Sequence, residues 1–550
     1  MKPIIAFCAA AVVAVTALAA EEWERKAAIA AKIDRYLTAD YTSKVERVTV
    51  DADSVTVSGF APESEVMIAE LMPCDEIYAS RLYDIGATGE RGAFRMSFPR
   101  YSVTDGVVYD RALSRWAVAG LDHAGRAELR SHARYADTIA ALRHPAPLYP
   151  KTKKGIAAGF GPTYYGDFKT LGAHSITMNT VLDALIMPAK DAPEGWEEYT
   201  YLGRRYGINP GERGSLDATT LAAQRDSVVV SAILLTRPNT AFRDPENTGG
   251  NYTMPNMTTP EAVALYAAAL NYMADRYSTA DSVHGRVHHW IMHNEVDMPL
   301  EWTNMGPQPV ERYLDRYMKS MRMCYNIVRQ YDPEAWVLAS YTHNWNCGAD
   351  GYRPLRMLER QLLYSAKEGD FRWGVAYHPY PIDLGRPQFW DDDLGKATLS
   401  DSAMYVTFMN PEVIDRWVLD RSHFYCGYTK RLLFFSEQGT NSPDYSEESL
   451  RRQAAGAAWI WKKLQRLEGV DAMQWHAWAD NRQEYGLRIG LRSFADGDFG
   501  DFDTKPAWEV WKAAGTPEED MVFREYLPVI GIASWEEVFT LPARASGDIR

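Results

Sequence analysis

Two short strings carry the residues best suited to chemistry: His293-Asn294-Glu295 and Ser436-Glu437-Gln438. Each sets a glutamate at the end of an apolar run, Val287-His288-His289-Trp290-Ile291-Met292 before the first and Leu432-Leu433-Phe434-Phe435 before the second. Short apolar runs rich in branched and aromatic residues read as buried β-strands. The C-terminal mouth of a barrel strand is where (β/α)8 enzymes hold their reactive groups. Two facing carboxylates are what cleavage of a glycosidic bond requires: one acid to protonate the leaving oxygen, and one base to attack the sugar or activate water. Taken singly, an Asn-Glu is more often a surface or helix-capping pair, and a buried glutamate more often an ion-pair partner. The pairing at two strand ends is what selects catalysis.

Such a pair needs a barrel to position it. After a basic, proline-containing connection (Pro145, Pro147, Pro150, Lys151, Lys153, Lys154), buried strands alternate with helical segments, the pattern of a parallel α/β architecture. Strands are predicted over 175–179, 228–235, 288–292, 336–340, 373–377, 432–435 and 472–475, and helices over 260–277, 310–330, 354–367, 447–467 and 507–514. A weaker stretch over 199–206 is either an eighth strand or part of a hairpin insertion. This count fits an eight-stranded barrel over 152–515 better than an open doubly wound sheet, and no Gly-x-Gly-x-x-Gly follows an early strand. Residues 45–148 alternate with period two around Asp51-Ala52-Asp53, with further strands over 65–71, 93–98 and 112–119. The expected fold class is therefore α/β, a (β/α)8 TIM barrel with an N-terminal antiparallel β-sandwich-like module. That module packs on the barrel in the simpler reading and binds carbohydrate in the other. Residues 21–44 read as a charged helical linker and 516–550 as a tail packed on the barrel.

The chain has 550 residues, 46% of them hydrophobic, enough for both units. Its net charge of −14 argues against nucleic acid or anionic membranes as partners. Met1-Lys2-Pro3, the apolar stretch 4–18 and Ala17-Leu18-Ala19-Ala20 together read as a secretory signal peptide over 1–20. A secreted or periplasmic location follows, and the stretch is short for a membrane span, so no insertion is expected. Cys74, Cys324, Cys347 and Cys426 show no zinc spacing. The last three allow one disulfide, with free buried thiols at least as good a reading. His284, His288, His289 and His293 invite a metal. On a strand, however, His289 and His293 would share a face about 13 Å apart, too far for one ion. Neither metal nor cofactor is expected. The acidic loop from Asp496 to Asp503 lacks EF-hand spacing and reads as a solvated rim loop. No Gly-x-Ser-x-Gly elbow supports serine chemistry.

The strand ends repeat a polar pattern: Thr236-Arg237 after the third, Asn294-Glu295 after the fourth, and Thr342-His343-Asn344 after the fifth. His378-Pro379-Tyr380 follows the sixth, Glu437 the seventh, and Trp475-His476-Ala477-Trp478 the eighth. In this order Asn294-Glu295, His378-Pro379-Tyr380, Glu437 and Trp475 resemble the clan A glycoside hydrolases, retaining (β/α)8 enzymes with Asn-Glu on the fourth strand and a nucleophilic Glu on the seventh. The resemblance covers 152–515 and extends to an uncharacterised bacterial family of secreted barrels in that clan. It implies Glu295 as general acid/base and Glu437 as nucleophile, with Tyr380 and His378 donating hydrogen bonds to it. It further implies Asn294 on the sugar 2-hydroxyl and Trp475, or in competition Trp478, as floor of the sugar site. His343, Asn344 and Arg237 would be further substrate contacts. The implied activity is secreted retaining hydrolysis of poly- or oligosaccharides, carbohydrate being the only expected partner. The alternatives are a catalytically inactive carbohydrate-binding barrel and, with less support, a carbohydrate esterase.

Overall fold

The computed structural model describes residues 2–63, 67–78, 83–87, 91–104, 107–123, 127–279, 283–348, 351–386, 388–393, 395–495 and 500–539. Eight parallel strands close into one barrel: β1 (Lys154–Ala157), β2 (Ser175–Val181), β3 (Val229–Leu235), β4 (His289–Met292), β5 (Trp336–Tyr341), β6 (Trp373–Tyr377), β7 (Leu433–Gln438) and β8 (Ala472–Trp475). A helix follows each: α1 (Gly161–Leu171), α2 (Pro210–Arg225), α3 (Pro260–Tyr277), α4 (Val310–Val328), α5 (Pro354–Glu368), α6 (Glu412–Leu419), α7 (Glu447–Arg466) and α8 (Pro506–Ala513). Helices cover the outer face and side chains fill the interior, so the strands are near-continuous apolar runs; every residue of β3, β5 and β6 is buried. Ile233, Ile291, Leu338, Phe434 and Ala472 fill the interior, while Val230, Trp290, Val337 and Met473 pack outward against helices.

The first strand corrects the sequence reading. Lys154–Ala157 begins at the last residue of the basic connection, where no strand is predicted, whereas 199–206 belongs to a hairpin (Glu197–Tyr201 with Arg204–Ile208) in a small antiparallel sheet outside the barrel. Lys-Gly-Ile-Ala offers one branched residue and a charge, hence no strand signal. Lys154 is nonetheless buried: its Nζ donates to the Lys512 carbonyl at 3.2 Å and lies 5.7 Å from the Trp461 ring. Burial lowers that ammonium to about 8. Gly155 sits where a Cβ would come within 2.4 Å of Ser175 Oγ, so close strand approach demands glycine.

The N-terminal helix, Lys2–Thr38, runs through both the segment read as a signal and most of the linker. Beyond it, two sheets form the sandwich-like module, one built on Lys44–Val50, Ser54–Ala61 and Gly92–Pro99, the other on Met67–Leu71, Tyr83–Ala87 and Arg115–Leu121. Residues 65–66 of one expected strand lie outside the described residues. Val48, Val55, Val57, Ile68 and Trp116 fill the core between them. The pairing is antiparallel except where Thr138–Ile139 joins Lys44–Val50 in parallel. The module seats on α4 and α5, which leaves Arg312 to Val328 buried throughout. Arg115 donates to Glu368 at 2.7 Å, Tyr36 to the same carboxylate at 2.8 Å, and Lys319 to Glu76 at 2.6 Å. At the far end, Glu519 accepts from Trp461 Nε1 at 2.7 Å and ties the tail to α7. Residues 540–550 of that tail and 496–499 of the acidic loop lie outside the described residues. All four cysteines named above are free thiols. No helix among the described residues is long and apolar enough to cross a membrane.

Candidate active site

Strand β4 ends at Met292, and the chain turns at once. His293 and Glu295 both take left-handed backbone conformations, φ 62° and 39°, each costing on the order of 1–3 kcal/mol for a side-chain-bearing residue. The turn sends His293 outward: its Nδ1 lies 3.1 Å from the Leu234 carbonyl and its Nε2 3.1 Å from Ser320 Oγ on α4. His289, by contrast, faces the interior, 5.4 Å from the Phe434 ring. The two imidazoles thus lie on opposite sides of the barrel wall, not on one face as strand periodicity predicted. Burial lowers them to about 3 and about 4. The same turn brings Glu295 over the mouth, where its backbone N–H donates to Ser340 Oγ at 3.0 Å. Beside it, Asn294 is buried, and its Oδ1 has no hydrogen-bond partner among the described residues.

Glu437 reaches the mouth by another device. The pairing of β7 with β8 slips between Phe435 and Gln438, a bulge that re-aims the side chains it contains. Ser436 turns to His378, whose Nε2 lies 3.1 Å from its Oγ. Glu437 stays partly accessible. His378, just beyond β6 and wholly buried, joins the two glutamates: its Nδ1 is 2.9 Å from Glu295 Oε1 and 3.6 Å from Glu437 Oε2. One atom from each of the three residues falls within 4.8 Å of the other two. Burial disfavours charge on this imidazole, but the Glu437 and Glu295 carboxylates outweigh it and raise His378 above the ordinary histidine value. The expected donor to Glu437 therefore makes its shorter bond to Glu295. A divalent cation would also accept this spacing. The nitrogen involved is the one 2.9 Å from Glu295 Oε1, in a hydrogen bond that a bound ion would replace.

The remaining predicted residues divide. Tyr380 is buried with its ring 6.4 Å from that of His378; burial, then Glu437, Glu484 and Glu295, push its phenol well above the ordinary value. His343 packs 5.5 Å from Tyr405; burial lowers it to about 4, while Glu295 pulls the other way. Asn344 turns away, its Nδ2 3.4 Å from the buried Asp297 carboxylate. Arg237 stands at the rim, its backbone N–H and Nε donating to Asp183 at 2.7 and 2.6 Å.

The two tryptophans are corrections. Trp475 is wholly buried, donates to the Ile489 carbonyl at 3.0 Å and packs 5.3 Å from Trp511. Trp478 donates to Asp167 at 2.6 Å and packs between Tyr164 and Phe502. Neither offers a face to a ligand. Alternation along β8 is the reason: Ala472 fills the interior and Gln474 bonds Ser175 Oγ at 2.7 Å, so Trp475 points out toward the helices. The β8 residue that does meet the pair is His476. Its Nε2 lies 3.1 Å from Glu484 Oε2; burial opposes the charge, but Glu437 and Glu484 lift the imidazole to about 9. His476, Glu484 and Tyr252, the last packed against the interior core of the barrel, are residues near the mouth that the sequence reading missed. His476 stood in a strand-end string already singled out, one position from the tryptophan chosen. Glu484 and Tyr252 sit on loops that show no period.

The molecule is thus a (β/α)8 barrel with two glutamates and two histidines gathered at the C-terminal mouth. Residues 147–538 match the family of unknown function DUF5722, and the chain belongs to it. No curated protein matches the sequence. Among solved structures it is similar to a family 39 glycoside hydrolase from the gut symbiont Bacteroides cellulosilyticus WH2, at 12% identity and TM-score 0.45 over 87% of this chain and 83% of that one. It is also similar to an exo-beta-1,4-mannosidase, Op5Man5, from Opitutaceae bacterium strain TAV5 (12% identity, TM-score 0.42, 70% and 62% covered). A hyperthermophilic beta-glucosidase from Pyrococcus furiosus gives 13% identity and TM-score 0.37, with 69% and 85% covered.

Proposed function

We propose that this chain is a retaining O-glycoside hydrolase acting on poly- or oligosaccharide, exported by way of its N-terminal segment. One observation carries the reading: oxygens of Glu295 and Glu437, from strands three apart around the barrel, approach within 4.8 Å with His378 of the intervening β6 end in contact with both. Retaining enzymes hold their carboxyl groups about 5–5.5 Å apart, whereas inverting ones leave about 6.5–9.5 Å for a water. In the first step Glu437 bonds to the anomeric carbon as the glycosidic C–O bond breaks, and Glu295 gives its proton to the departing oxygen. In the second, Glu295 takes a proton from water, whose oxygen bonds to the anomeric carbon and frees Glu437. His378 orients Glu295 through the 2.9 Å contact of its Nδ1 with Oε1. The unpartnered Asn294 Oδ1 suits a sugar hydroxyl next to the reacting carbon.

The test is Glu437→Ala with a glycan panel and reducing-end detection. Turnover should fall by at least about a thousandfold, and azide should partly restore it with inverted product stereochemistry. Undiminished turnover rejects the assignment. Glu295→Ala should slow substrates with poor leaving groups far more than activated aryl glycosides; equal losses count against its acid role.

A further inference from the structure

With Trp475 and Trp478 buried, a ring face for sugar stacking has to come from the loops. Tyr252, between β3 and α3, and Trp302, between β4 and α4, are both half-buried and stack with centroids 6.2 Å apart and 30° between planes. Tyr252 rests on the interior core of the barrel. After burial, the Glu437 carboxylate and then Arg237 act most strongly on its phenol. Thr253 N–H donates to the Thr236 carbonyl at 2.9 Å, so the ring pair starts at the end of β3, next to Arg237, and leads away along two loops. Arg237, fixed by Asp183, keeps 53% of its side chain exposed at the same edge.

The two loops are zipped into one rigid wall. Asn251 N–H donates to the Glu301 carbonyl at 2.7 Å, Asn304 N–H to the Tyr252 carbonyl at 3.0 Å, and Met254 N–H to the Asn304 carbonyl at 3.0 Å. The wall is tied to the catalytic turn through Thr303 Oγ1, 2.8 Å from the Asn294 carbonyl. Gly250 permits the contact: φ is +76°, and a Cβ there would meet the Leu300 carbonyl at 2.5 Å. A preformed aromatic face costs little ordering on binding.

Resting on the hydrolase reading, we propose that Tyr252 and Trp302 form the stacking wall of a second sugar subsite, with Arg237 as hydrogen-bond donor at its edge. The substrate then spans at least two pyranose rings. A pyranose presents an apolar C–H face to the wall and hydroxyls to a guanidinium.

The test compares wild type, Trp302→Ala, Trp302→Phe and Gly250→Ala on monoglycosyl fluorides and on cello-, xylo-, manno- and laminari-oligosaccharides of two to six rings. Oligosaccharide binding to each is followed in parallel by calorimetry. Trp302→Ala should raise KM for the oligosaccharide about tenfold and leave the monoglycosyl fluoride unchanged, with Trp302→Phe largely restoring the loss. Gly250→Ala should act in the same direction by splaying the loops. Equal effects on both substrate lengths, or none on either, overturn the subsite. Binding without hydrolysis by wild type, lost in Trp302→Ala, supports the wall and rejects the hydrolase reading. Wild type that neither binds nor cleaves any of these glycans overturns both.

Discussion

Replacing His476 by Gln removes the one cation that β8 contributes to the mouth, and its effect can be worked out from the charges around it. Burial opposes protonation of His476, yet Glu437 and Glu484 lift it from 6.5 to about 9. Tenfold in proton affinity is worth about 1.4 kcal/mol, so this lift corresponds to about 3 kcal/mol of native-state stabilisation. Between pH 6.5 and 9 the folded chain keeps a proton that the unfolded chain releases. The contribution is therefore complete below about pH 6.5 and disappears as pH rises through about 9. Denaturant unfolding of wild type and His476→Gln at intervals from pH 6 to 10 measures it. Wild type should lose about 3 kcal/mol more than the variant over that range, and the two curves should converge at the alkaline end. His378 is held down by His476, so it rises in the variant and trims the difference without reversing it. Parallel curves across the window would show that the imidazole is not charged in the folded state, and the reasoning would fail.

Asp297, two residues past Glu295, titrates with the same sign. Burial pushes its carboxyl to about 7 against two hydrogen bonds from Thr342, so stability should fall by about 4 kcal/mol as pH rises from 4 to 8. Asp297→Asn should flatten that slope in thermal melts; an unchanged slope contradicts it. At the module interface, Glu368→Ala strips a buried carboxylate from Arg115 and Tyr36, and stranding the guanidinium should cost about 3–5 kcal/mol. Denaturant midpoints check this, and a loss below about 1 kcal/mol would mean that the Glu368 carboxylate does not hold the module.

Seven of the eight barrel strands are legible because each is a buried apolar run bounded by turns, and helices such as Pro260–Tyr277 announce themselves by proline at the start and a 3.6-residue period. The unrecognised strand, Lys154–Ala157, has too few side chains to declare itself. Its strand character comes from neighbours: Ser175 on one side and Met473 on the other fix a glycine between them, and Trp461 shelters the lysine stem. The stretch over 199–206 takes the second of its two readings, a hairpin outside the barrel. Its tyrosines and arginines have the propensity of a strand, but no period-two apolar face directs them to the barrel.

For the site, type and order were readable while orientation was not. The glutamates were found because a carboxylate closing an apolar strand is conspicuous in any sequence. Which neighbouring group reaches them depends on single-residue events at the strand ends. The left-handed turn at His293 swings that ring out and Glu295 in, and the bulge at Ser436-Glu437 shifts the phase of β7. Phase decides β8 as well. With Ala472 and Gln474 inward, the next inward position is His476, so alternation carried one residue further exchanges an aromatic floor for a cation. The consequence is physical as well as positional. Two carboxylates held within 4.8 Å repel one another, and in a partly dry mouth that repulsion needs opposing charge. His476, lifted to about 9, supplies it, where an indole could not. On the proposed hydrolase reading, sugar stacking falls to rings mounted outside the strand ends, which is where Tyr252 and Trp302 stand.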